Sequence, residues 1–150
     1  MVIMKENKTI EFEIHTLNNL IKRDIERSMA KDRDALTGVH GWAIEYFCKN
    51  RDKDVFQRDF EEHFSIRRST ATKILQLMEK NGLIMRESVS YDARLKKITL
   101  TQKAVNVHNS IISDIAEREA RISEGISAKE LELFFKTIDK IKLNLEDNDV

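Results

Sequence analysis

Between Arg67 and Gln76 the chain sets out Arg67, Arg68, Ser69, Thr70, Thr72, Lys73 and Gln76, seven side chains that all donate hydrogen bonds. No catalytic motif frames them, so the set is suited to gripping rather than to making bonds. Clustered cations and hydroxyls match phosphate oxygens and the acceptor-rich edges of bases. A second group follows with Arg86, Asp92, Arg94, Lys96 and Lys97. Asp92 lies two residues before Arg94, close enough for a carboxylate–guanidinium pair to hold the arginine in place. A guanidinium so held suits a narrow, negative minor groove. From Ser65 to Lys103 there are nine bases and three acids, a net of +6. Residues 104–150 have six bases and ten acids, and residues 1–64 have eleven and thirteen. The whole chain is neutral, yet a local basic patch attracts phosphates whatever the total.

These donors need a rigid mount, and the apolar spacing supplies one. Ala71, Ile74, Leu75 and Met78 follow the i, i+3, i+4, i+7 pattern of one buried helix face. The spacing predicts a helix over residues 69–81, with Ser69 as N-cap and Gly82 just past the end. Phe56, Phe60 and Phe64 give a shorter preceding helix its own apolar face, and Ser65-Ile66 is a tight connection. Two short helices so joined form a helix-turn-helix, whose second member can enter a major groove. Residues 84–90 and 96–100 read as two strands, with Ile98 and Leu100 facing inward. Between them Tyr91-Asp92-Ala93-Arg94-Leu95 is a polar tip with its turn at Asp92. A hairpin in this place is a wing.

At 150 residues, 41% hydrophobic and 35% charged, the chain can bury a core and is not of the disordered class. Proline is absent and there are only 4 glycines, so little interrupts helices. No apolar run approaches the roughly 20 residues that span a bilayer, and the first residues lack a signal-peptide pattern. One cysteine excludes an internal disulfide framework and fits the cytoplasm.

The expected fold is mostly α with a small β-hairpin wing. A first helix is expected over residues 10–31 from the stripe Ile10, Ile14, Leu17, Ile21, Ile25 and Met29. Thr37 is the expected cap of a second helix, residues 38–49, with Val39, Trp42, Ala43, Tyr46 and Phe47 inward. Thr101 caps a long helix to about residue 123, and Ser127 with Glu130 forms a capping box for a last helix to about residue 145. The division expected is a winged helix-turn-helix at 37–101, with 1–36 and 102–150 forming a helical dimerisation region in one compact chain. The terminal stripes need a partner, and a second copy would set two recognition helices about 34 Å apart along a duplex.

Blander readings weigh on each feature. The 67–76 face on a winged fold also suits an acidic protein partner, but wing and charge agree on DNA. Within that reading, the hydroxyls and Lys73 meet phosphates more than bases. Lys96 and Lys97 divide evenly between phosphate contacts and exposed strand residues. Cys48, beside Phe47, reads as a buried inert thiol rather than a redox switch. His15, His40, His63 and His108 form no metal-ligand spacing, so no metal and no cofactor is expected. Trp42, Tyr46 and Phe47 are candidates for a small-ligand pocket, with plain core an equal alternative. The first helix mixes acids among its bases, which favours helix packing over a membrane surface. No catalytic motif is present, and an enzyme is not expected.

The strings RRSTATKILQLMEKNGLI, LTGVHGWAIEYF and SYDARLKKITLT resemble the MarR family of bacterial transcription regulators. The last carries the family's wing signature, D-x-R-x-x-x-I-x-L-T, at Asp92, Arg94, Ile98, Leu100 and Thr101. The resemblance is specific over residues 37–103 and rests on pattern alone at the two ends. It implies a homodimer on a pseudo-palindromic operator, usually a repressor released by a small ligand, such as the aromatic acids that family members take, or by an oxidant. It implies Arg67, Arg68, Ser69, Thr70, Thr72, Lys73 and Gln76 in the major groove. Arg94 would lie in the minor groove with Asp92 orienting it. Against this stands a winged protein-interaction module without direct DNA contact.

Overall fold

The computed structural model describes residues 8–29 and 38–146. In chain order the elements are α1 (Ile10–Met29), α2 (Gly38–Lys49), α3 (Gln57–Phe64), α4 (Arg68–Lys80), β1 (Ile84–Val89), β2 (Asp92–Leu100), α5 (Gln102–Ile122) and α6 (Ala128–Glu146). The expected mostly-α chain with one hairpin is what forms. Thr37, expected to cap α2, and the last two residues expected in α1 lie outside the described residues.

The chain divides into two units, Met1–Ile112 and Ser113–Val150. The first has the core. Phe60, Ile44, Leu75, Met78, Leu83 and Ile84 are its largest fully enclosed side chains, drawn from α2, α3, α4, β1 and the link between the last two. Ile98 of β2 and Ala104 of α5 complete the same cluster. Aromatic rings knit α2 to α3: Phe47 stacks on Phe60 at 5.6 Å, and Tyr46 meets Phe64 edge-on at 5.7 Å. Offset and edge-to-face pairs of this kind add to plain burial. Phe60 and Phe64 thus form the expected apolar face of α3, whereas Phe56 stands just before the helix as its N-cap.

The turn between α3 and α4 has a specific backbone. Ser65 adopts the left-handed conformation (φ 49°), and the Ile66 N–H donates to the Glu61 carbonyl at 3.0 Å. The start of α4 differs from expectation. Arg67, not Ser69, is the N-cap, and its carbonyl accepts the Thr70 and Ala71 N–H groups at 3.0 Å. Extended backbone at Arg67, following partly buried Ile66, sets where the helix begins, so the good capping side chain of Ser69, the second helical residue, is bypassed. The far end is as expected. Gly82 is left-handed (φ 69°), its N–H reaches Glu79 O and that of Leu83 reaches Met78 O. This is the paired closure a glycine past the helix end permits.

In the second unit, α6 begins at the expected capping box: Ser127 N–H donates to the Glu130 carboxylate at 2.8 Å, and Glu130 N–H donates to Ser127 Oγ at 3.2 Å. Those bonds hold the Glu130 carboxyl below its usual range, the backbone bond contributing most. Among its described residues α6 buries none. No helix of the described residues is long and apolar enough to cross a membrane.

Candidate nucleic-acid interface

The first unit holds α4 and the hairpin in one body, so the two donor groups have a common frame. On α4, Ala71, Leu75 and Met78 face the core, which turns Arg67, Arg68, Ser69, Thr70, Lys73 and Gln76 outward, all exposed. Thr72 is different: partly buried, its Oγ1 accepts a bond from Gln57 Nε2 at 2.8 Å. Gln57 in turn receives Arg86 Nη1 at 3.5 Å, and Arg86 Nε lies 3.5 Å from Glu79. Arg86 is therefore engaged between α3, α4 and β1, and only about a quarter of its side chain is exposed. Gln57 was not singled out in the sequence; its i, i+15 link to Thr72 has no local signature.

The hairpin is less regular than its sequence suggests. β2 begins at Asp92 rather than Lys96, and the antiparallel register holds from Ile84 opposite Leu100 to Ser88 opposite Lys96. The next residue, Val89, lies opposite Asp92. Ala93, Arg94 and Leu95 are thus extruded from the ladder, as in a large bulge. Asp92 secures the extruded piece: its Oδ1 accepts Arg94 N–H at 2.9 Å and Nε at 3.2 Å, and its Oδ2 accepts Nη2 at 3.2 Å. The Arg94 side chain remains 90% exposed. The Arg94 side chain and, next, its backbone N–H hold the Asp92 carboxyl below its ordinary value. The pair inferred from spacing is present, and it presents the guanidinium without hiding it.

Lys96 and Lys97 diverge, as neighbours on a strand must. Lys96 Nζ bonds Ser88 Oγ across the hairpin, while Lys97 Nζ lies 3.4 Å from Asp54 and 4.0 Å from Glu87.

Among the cavities lined by described residues, Trp42, Tyr46 and Phe47 do not share one wall. Phe47 is core and lines a hollow of about 500 Å³ with Cys48, Val55, Lys97, Ile98 and Leu100. Tyr46 borders a separate, acidic cleft, and Trp42 borders neither. Cys48 is buried and free, and burial first of all raises its thiol above the ordinary range, which disfavours the thiolate. His108 pairs with Glu45 at 2.7 Å. Among the described residues no three His, Cys, Asp or Glu side chains converge as a metal site would require.

Solved structures give the outside comparison. The transcription regulator MarR from Oenococcus oeni PSU-1 is 31% identical, with 89% of this chain and 98% of that one aligned at a TM-score of 0.74. The heme sensor PefR from Streptococcus agalactiae, solved in complex with heme, is 26% identical over 97% of this chain and all of its own, TM-score 0.67. MepR of S. aureus, solved in a DNA complex, is 18% identical over 94% of this chain and 99% of its own; at a TM-score of 0.83 it shares the fold. No family model matches the sequence.

Proposed function

The chain belongs to the MarR family of transcription regulators, and we propose that it is a homodimeric, sequence-specific binder of double-stranded DNA acting in the cytoplasm. The observation that carries this is Arg94: extruded from the hairpin, held by three bonds to Asp92, and almost wholly exposed. Arg67, Arg68, Ser69, Thr70, Lys73 and Gln76 line the outer face of α4 and are assigned to the major groove, chiefly its phosphates, with Thr72 at the edge of that face. Arg94 is assigned to the minor groove. Lys96 is assigned to phosphate. Arg86 and Lys97, tied to Glu79 and Asp54, serve the mount more than the contact. Residues 37–101 form the reading part in this assignment.

Residues 1–36 and 102–150 are assigned to dimerisation. Exposed Leu133, Phe134 and Phe135 on α6 and Ile10, Phe12 and Leu20 on α1 support a partner for these helices. A pseudo-palindromic operator follows from two-fold symmetry. We take the protein to be a repressor of neighbouring genes, relieved by a small aromatic ligand rather than by any catalytic act of its own. The 500 Å³ hollow is of a size that takes such molecules.

The test is fluorescence anisotropy with duplex DNA from upstream of the protein's own gene. Arg94→Ala should weaken binding at least about tenfold, a cost in the range of one lost specific contact, with the thermal midpoint unchanged. Equal affinity removes Arg94 from the interface. Raising salt from about 50 to 200 mM should cost about 10³-fold or more if six or more phosphates are contacted. A flat response overturns the DNA reading.

A further inference from the structure

Arg94 can serve a groove only if the hairpin stands at a fixed angle to α4, and a two-stranded hairpin has little stiffness of its own. One carboxylate supplies a strut. Asp54 precedes α3 in the segment after α2. Its Oδ2 accepts the Tyr91 hydroxyl at 3.1 Å, from the turn at the end of the hairpin. Its Oδ1 lies 3.4 Å from Lys97 Nζ, nearer the base. Immediately beside it, Ile98 N–H donates to the Val55 carbonyl at 2.7 Å, and both those side chains are buried. Segment 54–55 thus runs along β2 as an outrigger, fastened at the base by backbone and farther out by a side chain. Tyr91 is the direct neighbour of Asp92, which holds Arg94.

We propose that Asp54 is the positioning residue of the wing: by bridging Tyr91 and Lys97 it sets the angle at which Arg94 is offered to DNA. The inference rests on the wing assignment made above. Each contact alone is weak, since the Asp54–Lys97 pair is about a third exposed on both sides and such pairs contribute little. Weak contacts suffice here, because they select one orientation of a hinged element rather than hold a fold together. The proposal has an unusual sign. Deleting an acid beside a DNA-binding face ordinarily tightens binding, because it removes repulsion from phosphates. A strut predicts the reverse.

Two measurements on the full-length protein decide it. In the free protein, Asp54→Ala and Tyr91→Phe should speed hydrogen exchange at wing amides 86–97 about three- to tenfold, the worth of one net hydrogen bond. Exchange over α4 should be unchanged. Unaltered wing exchange in Asp54→Ala overturns the strut whatever the DNA results. For binding, a duplex selected from a randomised library by the wild-type protein is used. Asp54→Ala should weaken its affinity by about three- to tenfold, but by less than about twofold when Arg94→Ala is already present. Tighter binding, or a loss that persists undiminished beside Arg94→Ala, overturns the proposal. If Arg94→Ala alone costs nothing, or no duplex is selected, it is the wing assignment that fails, and the exchange measurement still decides the strut.

Discussion

The winged segment and the last helix solve the same problem in opposite ways. Phe60, Leu75, Met78, Leu83 and Ile84 sit at or near zero exposure, each enclosed by elements of its own unit. In α6, a helix of 19 residues, the aromatic pair Phe134 and Phe135 is about half exposed and nothing is buried. Both stretches carry amphipathic spacing of similar quality. The difference lies in what surrounds them: the winged segment closes its apolar faces internally, whereas α6 has an apolar face that the described chain leaves open. Periodicity thus says that a face wants covering, but not whether the cover comes from the same chain.

Four changes probe that contrast, in falling order of effect. Phe60→Ala should destabilise the protein by about 3–5 kcal/mol in chemical denaturation, because a fully enclosed ring leaves a cavity that stacked Phe47 cannot fill. A cost below about 1 kcal/mol would mean that the winged core is not close-packed. Phe135→Asp should hardly alter the monomer fold, yet weaken self-association by roughly 30-fold, as removal of an aromatic anchor does. Sedimentation equilibrium would read this as a shift toward the chain mass of 17.6 kDa; a wild type that already sediments at that mass breaks the dimer reading of α6.

Ser127→Ala should cost about 1 kcal/mol by removing the cap of α6. Hydrogen exchange should rise over the first turn of that helix and stay level over α3 and α4. Loss of protection in both places would show the two regions to be one cooperative unit. The smallest effect concerns pH. His40 is buried, and burial lowers its pKa in the folded state below 6.5. The unfolded chain therefore takes up the proton first, so the stabilising effect of a neutral His40 is complete above about pH 6.5 and is lost as the pH falls below it. Denaturation midpoints between about pH 7 and pH 5 should fall less in His40→Gln than in the wild type. Equal slopes would acquit His40.

Much of the local structure was legible in the sequence. The Asp92–Arg94 spacing implied their pairing, Gly82 marked the end of α4, and Ser127 with Glu130 marked the start of α6. Each is a short-range relation, settled by residues within a turn or two of one another. The signals that misled were local as well. Ser69 is a good capping residue, but partly buried Ile66 and extended Arg67 start the helix earlier. The hairpin tip read as a plain turn at Asp92, whereas two successive residues of β1 face Lys96 and Asp92 and force Ala93 to Leu95 out of the ladder.

By itself the sequence determined which segments are helix and which are hairpin, where charge gathers, and which arginine stands at the tip, because these follow from neighbours a few bonds away. Only the tertiary structure decided that Gln57 binds Thr72, that Arg86 is occupied by Glu79, and that Asp54 reaches Tyr91 thirty-seven residues on. Such contacts join side chains whose proximity is created by packing, and no spacing along the chain encodes which donor will find which acceptor once the core has closed.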